Sequence, residues 1–188
     1  MPKLYPLLIL LTILSSAAAF AKGGLLEIEI EPIVGYERVQ KLIPTQHTKD
    51  VLLYGARLTA GIPLIAAELE YTTSTDNEAF PAESLATKDV TERAKLGLVS
   101  KLKLFSLVSF KLRGGAQARR NRHEETLLGV TTISREPITY KPYLGAGLQA
   151  GLSRNLRLEA DLTTIFENFP SFKDNVYQVT AGFSVKFP

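Results

Sequence analysis

The C-terminal segment of the chain alternates between apolar and polar positions. Every even position from 178 to 186 is small or polar, and the odd positions are apolar or aromatic: Tyr177, Val179, Ala181, Phe183, Val185 and Phe187. A period of two places successive side chains on opposite faces of a β-strand. We therefore predict a terminal strand with one apolar face, about as long as the ten tilted residues that cross a bilayer.

Seven earlier segments repeat this alternation. In the first of them, Ile28 and Ile30 share one face and Glu29 and Glu31 share the other. The seven segments are residues 26–36, 52–62, 65–72, 91–99, 104–119, 138–152 and 156–164. Together with the terminal segment they predict an all-β fold, an eight-stranded antiparallel up-and-down transmembrane β-barrel with a polar, packed lumen.

The connections between these segments alternate in length. Long polar stretches cover residues 37–51, 73–90, 120–137 and 165–176, and short turns lie near Pro63, 101–103 and 153–155. Long connections on one side and short turns on the other are typical of outer-membrane barrels, in which the short side is periplasmic. Aromatic residues near the strand ends predict girdles at the membrane interfaces: Tyr36, Tyr54, Tyr71, Phe105, Tyr143, Phe166, Tyr177 and Phe187.

The polar face of the predicted strands carries many charged residues. The interior of an eight-stranded barrel is just wide enough to be filled by side chains, so charges inside it must be paired. We expect a lumen charge network of Glu27, Glu29, Glu31, Arg57, Glu68, Glu70, Arg93, Lys95, Lys111, Arg113 and Lys186. A soluble β protein with its apolar face inside and these charges in solvent is the alternative.

Strand order suggests partners within this network. The first strand's glutamates would pair with Arg57 and Lys186 on its two neighbours. Glu68 and Glu70 on the third strand would pair with Arg93 and Lys95 on the fourth. Lys111 and Arg113 on the fifth strand would reach across the lumen to the first strand.

The N-terminus has the features of a cleaved signal peptide. Lys3 precedes an apolar stretch from 4 to 14, and Ala19-Phe20-Ala21 fits the cleavage rule. We predict a signal peptide over residues 1–21 and a barrel domain over 22–188, with an uncleaved anchor as the alternative. The absence of cysteine excludes disulfides and thiolate sites, and the spread of basic residues gives no nucleic-acid signal.

Three passages resemble a known family. Residues 141–148, Lys-Pro-Tyr-Leu-Gly-Ala-Gly-Leu, resemble a recurrent Pro-Tyr-x-Gly-x-Gly strand, and residues 156–162 resemble the strand after it. The terminal strand resembles a sorting signal, carried by Tyr177, Phe183, Val185 and Phe187, although Pro188 follows the last aromatic. The mature chain thus resembles the small bacterial outer-membrane β-barrel superfamily, with its OmpA-like and OmpX-like domains.

This resemblance implies an integral outer-membrane protein of a Gram-negative bacterium. It implies Sec-type export, insertion by the barrel assembly machinery, and a monomer. Outer-membrane lipid and lipopolysaccharide would be its partners.

Candidate chemistry in the sequence is weak. His47 and His123 lie in predicted loops, and neither forms the His-x-Ser pair of the lipid A deacylases that the chain resembles in size. Thr126 is the hydroxyl near His123. We expect no catalytic residues, no metal site and no cofactor.

The basic run from Arg119 to Arg122 lies at the start of the third long connection and is a candidate for binding lipopolysaccharide phosphates. The expected role is therefore structural, or surface interaction through the long loops. The alternatives are a lipid A-modifying enzyme and a narrow channel for small solutes.

Overall fold

The computed structural model describes residues 26–41, 47–62, 64–81, 84–128, 130–167 and 175–187. The predicted signal peptide and Pro188 lie outside these residues. The described strands are β1 Glu27–Lys41, β2 His47–Gly61, β3 Ile65–Phe80, β4 Leu85–Lys103, β5 Val108–Leu127, β6 Val130–Arg135, β7 Thr139–Gly151, β8 Leu156–Ile165 and β9 Val176–Phe187. No described helix is long and apolar enough to cross a membrane.

Eight of these strands close into a ring. The sheet runs β4-β3-β2-β1-β9-β8-β7-β5, and β4 pairs with β5 to complete it. All the pairings are antiparallel, and β6 pairs only with β5, outside the ring. Closure leaves the barrel itself without an open edge. The predicted all-β, eight-stranded antiparallel barrel is confirmed.

The apolar face of the strands points outward. Leu96 and Leu98 on β4 are 66% and 61% exposed, whereas Arg93 and Lys95, which precede them on the opposite face of the strand, are 2% and 1% exposed. The same alternation places polar side chains inside along every strand of the ring. This burial is the reverse of a soluble barrel, whose apolar side chains fill the interior. The soluble alternative is therefore inconsistent with the structure.

Three of the predicted long connections are mostly strand. The strands β1 and β2 pair as far as Lys41 and His47, and β3 and β4 pair as far as Phe80 and Leu85. β5 continues to Leu127 and turns back into β6. These extensions carry polar residues on both faces, so the period of two disappears while backbone pairing continues. At the fourth connection, β8 ends at Ile165 and β9 begins at Val176, which are the predicted limits.

The predicted fifth strand began too early. Residues 104–107 form the turn after β4, where the backbone N–H groups of Leu104 and Phe105 both donate to the carbonyl of Val108 at 3.0 Å. The two predicted girdle residues Tyr143 and Phe166 are also buried rather than exposed at the surface. Tyr143 lies on the same face of β7 as the lumen-facing residues, so its side chain points inward. Among the described residues, the exposed tyrosines on the outer wall are Tyr36, Tyr54, Tyr71, Tyr140 and Tyr177.

Proline interrupts one ladder. The pairing of β1 with β9 joins Ile30 to Val185 and resumes at Ile33 and Gly182, with no pair at Pro32. Proline has no backbone N–H to donate, so a gap in the ladder at this position is expected. The register is the same on both sides of the gap, and the barrel stays closed.

Candidate functional site

The barrel interior holds a network of ion pairs to which strands on all sides contribute. Its described cations are Arg57, Arg93, Lys95, Lys101, Lys111, Arg113, Arg157 and Lys186. Its described anions are Glu27, Glu29, Glu31, Glu37, Glu68, Glu70, Glu159 and Asp161. The two sets are equal in number, so their formal charges balance. Pairing of this kind is what allows charges to be buried.

Arg57 lies at the centre of the network. Its Nη1 donates to Glu31 Oε2 at 2.7 Å and to Asp161 Oδ2 at 2.6 Å. Its Nε and Nη2 both donate to Glu70 Oε2, at 2.9 and 2.8 Å. One guanidinium thus joins β1, β2, β3 and β8, because its planar fork of donors suits several carboxylates at once.

A second layer forms around Glu70. Lys95 Nζ donates to Glu70 Oε1 at 2.7 Å, and Arg113 Nη2 donates to Glu70 Oε2 at 2.6 Å. Arg113 Nη2 also lies 2.8 Å from Glu68 Oε1, which accepts a hydrogen bond from the Tyr143 hydroxyl at 3.0 Å. The Tyr143 ring stands 5.7 Å from Lys95 Nζ and 5.5 Å from Arg113 Cζ, within the range of cation–π contacts.

Arg93 does not pair with Glu68 or Glu70 as expected. Its Nη2 donates to Glu37 Oε1 at 2.5 Å and its Nη1 donates to Ser74 Oγ at 3.0 Å. Strand stagger explains the difference: Arg93 stands opposite Thr72 on β3, nearer the long-hairpin end than Glu70, which stands opposite Lys95. Glu37 was assigned to a loop by the sequence pattern, and it lies on β1 because that strand continues to Lys41.

Lys111 and Arg113 also have partners other than the first strand. Lys111 bonds to Glu159 and lies 3.3 Å from Asp161 on β8, and Arg113 bonds to β3. Ion pairs do cross the lumen, but they join side chains that lie at the same level along the barrel axis. Closer to the short turns, Glu29 binds both Lys101 and Arg157, and Lys186 Nζ donates to Glu27 Oε1 at 2.5 Å.

Several members of the network were absent from the expected set. Glu159, Asp161 and Arg157 are on the polar face of β8, and strand parity alone could have included them. Tyr143, Gln149 and Gln178 also belong to the network, because each forms a hydrogen bond with a charged side chain. They are uncharged, so the pattern of charged residues in the sequence does not indicate them. Gln178 accepts from Lys95 and donates to Glu37, and so connects the layer around Glu70 to the Arg93–Glu37 pair.

Glu31, Glu159 and Asp161 bring carboxylate oxygens within 4.8 Å of one another. Such spacing could suit a cation, but Arg57 Nη1 lies between Glu31 and Asp161, and Lys111 bonds to Glu159. The protein's own cations therefore occupy the positions that a metal ion would take. This cluster belongs to the ion-pair network.

Two cavities flank the network. The hairpin-side mouth, about 220 Å³, is lined by residues that include Arg93, Arg119, Asp76 and Asp89. The turn-side mouth, about 290 Å³, is lined by Glu27, Lys101, Lys103, Ser106, Leu107, Ser109, Gln149, Gly151, Ser153, Arg154 and Arg157. The network between them is tightly filled, since Arg57, Lys95, Glu70 and Tyr143 are almost without solvent exposure.

The two histidines lie on strands rather than in loops, and both contact carboxylates. His123 Nδ1 lies 2.6 Å from Asp89 Oδ1, and His47 Nε2 lies 3.3 Å from Glu78 Oε1. Thr126 is not positioned as a nucleophile beside His123, because its hydroxyl forms a hydrogen bond with that of Thr131 at 2.9 Å. Positions 123 and 126 fall on opposite faces of β5 because their separation is odd.

The basic run is divided between two faces of β5 for the same reason. Arg119 and Asn121 point toward the hairpin-side mouth, and Arg120 and Arg122 lie on the outer surface. Arg120 binds Glu92, and Arg122 Nη2 lies 2.5 Å from Glu124 Oε1. The run is thus part of a strand, and it does not form one contiguous loop patch.

On the long-hairpin side of the exposed tyrosines Tyr54 and Tyr71, ion pairs between β2 and β3 shift the pKa values of the paired groups. Lys49 Nζ lies 2.6 Å from Asp76 Oδ1 and 2.9 Å from Glu78 Oε1. Burial lowers the pKa of Lys49, but its bonds to Asp76 and Glu78 outweigh this and raise the pKa above 10.5. Burial raises the pKa of Glu78, but hydrogen bonds from Lys49 and His47 bring it below 4.5. These groups tie β2 to β3 above the barrel.

The fold matches solved structures of known proteins. Ail, the attachment invasion locus protein of Yersinia pestis, shares 14% identity at a TM-score of 0.57, over 86% of this chain and 98% of that one. Neisserial surface protein A shares 16% identity at a TM-score of 0.57, over 86% and 97%. The N-terminal β-barrel domain of Pseudomonas aeruginosa OprF shares 12% at a TM-score of 0.55, over 86% and 97%.

Sequence comparison gives no such match. No protein-family model matches the chain, and no curated protein sequence does. The match to this chain covers nearly the whole length of each of these solved structures. The chain has the fold of the small eight-stranded outer-membrane β-barrels, as its resemblance to the OmpA-like and OmpX-like superfamily implied.

Proposed function

We propose that this protein is an integral outer-membrane protein of a Gram-negative bacterium that makes surface contacts through the sheet beyond its barrel. Its partners would be anionic groups, with the phosphates of lipopolysaccharide first among them. Sec-type export and insertion by the barrel assembly machinery belong to the same proposal. The terminal strand supports insertion, since Tyr177, Phe183 and Phe187 all face outward along β9.

The sheet that projects from the barrel supports a role outside the membrane. β4 and β5 remain paired from Ala94 and Ala118 out to Leu85 and Leu127. Nine residues of strand span roughly 30 Å, so the pairing continues well beyond exposed Tyr140, which stands opposite Ala118. β6 adds one more strand, and all six of its residues are exposed. A stable, exposed sheet of this kind is suited to contact other molecules.

The observation that carries the proposal is a pair of opposed arginines. Arg122 on β5 stands directly opposite Arg135 on β6, on the outer surface of the projecting sheet. Like charges directly opposite each other destabilise a sheet, and although Arg122 has Glu124 as a partner, no described carboxylate pairs with Arg135. An anion between them would remove that repulsion, and guanidinium groups bind phosphate and sulfate through paired hydrogen bonds. Arg120 lies on the same surface.

A solved relative in fold provides a parallel. Ail has been crystallised with the heparin analogue sucrose octasulfate, at a TM-score of 0.57 and 16% identity to this chain. A barrel of this fold can therefore hold a polyanion. For the present chain, the probe is lipopolysaccharide, because its phosphates suit the opposed Arg122 and Arg135.

The experiment compares lipopolysaccharide binding by the wild type and by Arg122→Gln/Arg135→Gln in detergent. We expect saturable binding by the wild type, loss of most of it in the variant, and loss again when the lipopolysaccharide is dephosphorylated. The matched control is Arg38→Gln/Lys141→Gln, which removes the same charge from two side chains outside this site. Equal weakening in both variants would refute a site at Arg122 and Arg135.

The alternative of a narrow channel is opposed by the filled interior. Arg57, Lys95 and Tyr143 leave almost no accessible space at the level of the network. We expect the wild type to give no conductance steps in planar bilayers. Steps that grow when Lys111 or Arg113 is neutralised would instead support a channel.

The alternative of a lipid A-modifying enzyme has one observation in its favour. Asp89, His123 and Ser134 stand opposite one another in register across β4, β5 and β6. The carboxylate orients the imidazole, as in nucleophilic hydrolases, although no described hydrogen bond joins His123 to Ser134. Mass spectrometry of lipid A from cells with wild type, His123→Ala or Ser134→Ala decides the matter. A product that needs both residues would favour the enzyme, and identical lipid A in all three would favour the interaction role.

A further inference from the structure

The turn-side mouth of the barrel carries an excess of positive charge. Four cations line this cavity, namely Lys101, Lys103, Arg154 and Arg157, and Glu27 is its one lining carboxylate among the described residues. The short turns that surround it mark the periplasmic end of an outer-membrane barrel. This cavity plays no part in the surface contacts proposed above.

The carboxylates near the cavity are already engaged. Glu29 binds both Lys101 and Arg157, so one anion serves two cations. Glu27 is bound by Lys186, which adds a fifth cation to the same end of the barrel. Deeper in the lumen, Glu159 is held by Lys111 and by Gln149. Five cations therefore face two carboxylates, and the positive charge is not compensated locally.

Two of these cations have no described ion pair. Lys103 ends β4 and Arg154 lies in the turn between β7 and β8, so both stand at the rim of the cavity. Ser106 and Ser109 add hydroxyl donors to the lining. Arg157 is held in place within the cavity by Glu29 and by Gln149 Oε1, 3.3 Å from its Nη1.

A concave cavity lined by one sign of charge and walled by low-dielectric protein concentrates the opposite ion. Its volume of about 290 Å³ is at the lower limit of small-molecule pockets. That space suits a compact ion with two or more charges, held by the arginine, lysine and serine side chains that line it.

We propose that the periplasmic mouth is a binding site for a small, multiply charged anion of the phosphate or polycarboxylate class. Lys103, Arg154 and Arg157 supply the charge, and Ser106 and Ser109 supply neutral donors. Phosphate groups could reach the mouth as free anions or as the headgroups of inner-leaflet phospholipid. The chemistry of recognition is the same for both.

The experiment titrates pyrophosphate, and separately citrate, into the folded wild type in a non-ionic detergent that contains no phosphate. Calorimetry and nitrogen–proton correlation spectra report binding, with the signals of Ser106, Ser109 and the Gln149 side-chain amide as local probes. We expect saturable binding that weakens with added salt, since screening reduces it. Repeating the titration in nanodiscs of anionic phospholipid separates the sources: loss of binding there assigns the mouth to headgroups, and retention assigns it to free anions.

The variant Lys103→Gln/Arg154→Gln tests the site without breaking any described ion pair. We expect its dissociation constant for pyrophosphate to rise by about tenfold or more, equivalent to about 1.4 kcal/mol. The control Arg38→Gln/Lys141→Gln removes the same charge from two side chains outside both proposed anion sites and should leave the constant within about twofold. Absence of saturable binding by the wild type, or an equal loss in both variants, would overturn the proposal.

Discussion

Arg57 on β2 and Asp161 on β8 are joined across the barrel interior, with Nη1 and Oδ2 2.6 Å apart. The strands β1 and β9 separate them in the sheet, and 104 positions separate them in the chain. This contact requires a barrel so narrow that two side chains from different walls can meet in its interior. The same geometry lets one guanidinium serve three carboxylates, and it makes the network a structural core in place of a hydrophobic one.

Arg57→Met should destabilise the protein severely. Methionine has similar volume but no charge, so Glu31, Glu70 and Asp161 would lose their shared cation while remaining buried. Breaking a buried pair in this way costs about 3–5 kcal/mol. Urea unfolding in lipid vesicles measures the free energy of unfolding directly.

Arg38→Met is the matched control for this change. Arg38 donates to Asp50 at 2.9 Å, but both side chains are exposed, and exposed pairs contribute little. We expect its unfolding curve to overlay that of the wild type. If Arg57→Met were equally harmless, the network would not be the stabilising core that its contacts indicate.

Tyr143→Phe should weaken the barrel by less. The substitution removes the hydroxyl that donates to Glu68 Oε1 at 3.0 Å and keeps the ring beside Lys95 and Arg113. A hydrogen bond to a charged group contributes about 1.5–3 kcal/mol. The control is Tyr140→Phe on the exposed outer wall, which should unfold like the wild type. A Tyr143→Phe protein of wild-type stability would mean that Arg113 alone satisfies Glu68.

Gly97→Ala should disturb the interior directly below Tyr143. A Cβ at this position would clash with the Tyr143 hydroxyl and with the carbonyl oxygen of Gly114. One of these is backbone, so the strand must shift, at a cost of about 1–3 kcal/mol for overpacking. The gel-mobility shift on heating in SDS should then occur at a lower temperature than in the wild type.

Gly151→Ala is the control for the glycine substitution. There the nearest atom to the new Cβ is the Leu107 carbonyl oxygen at 3.6 Å, an ordinary contact. We expect its heat-induced mobility shift at the wild-type temperature. A similar loss in both variants would show that barrel strands reject alanine for reasons unrelated to Tyr143.

The link between β2 and β3 beyond the barrel should be lost in acid. The pKa of Glu78 lies below its ordinary value of 4.5, so its contribution to stability is fully present above that pH and is lost as the pH falls through the lowered pKa. Lys49, with its pKa raised above 10.5, loses its contribution only as the pH rises through that raised value. Hydrogen exchange at the amides of β2 and β3 beyond Tyr54 and Tyr71 should therefore accelerate, relative to the barrel, below about pH 4.

Lys49→Gln separates this effect from general acid sensitivity. Without the lysine, the carboxyl of Glu78 should titrate closer to its ordinary pKa, which carbon-detected NMR would follow. An unchanged titration would show that His47, at 3.3 Å, is the group that holds the pKa down.

Aspects of the fold that depend on local periodicity were predictable from the sequence. Parity along β2 placed Arg57 inside and Tyr54 outside, and the structure agrees. The strand ends were less predictable: Glu37 and His123 were assigned to loops although both lie in strands. Where both faces of a strand meet water, polar residues fill both, and no alternation remains to mark the strand.

The sequence by itself determined which residues share a face of each strand and that eight segments alternate, because side-chain direction in a strand follows from position alone. Only the tertiary structure decided the partners. Arg93 binds Glu37 instead of Glu70, and Arg57 reaches Asp161 on β8, because strand stagger and barrel width set which side chains share a height. The excess charge at the turn-side mouth likewise emerges only when the ends of β4, β7 and β8 meet around one cavity.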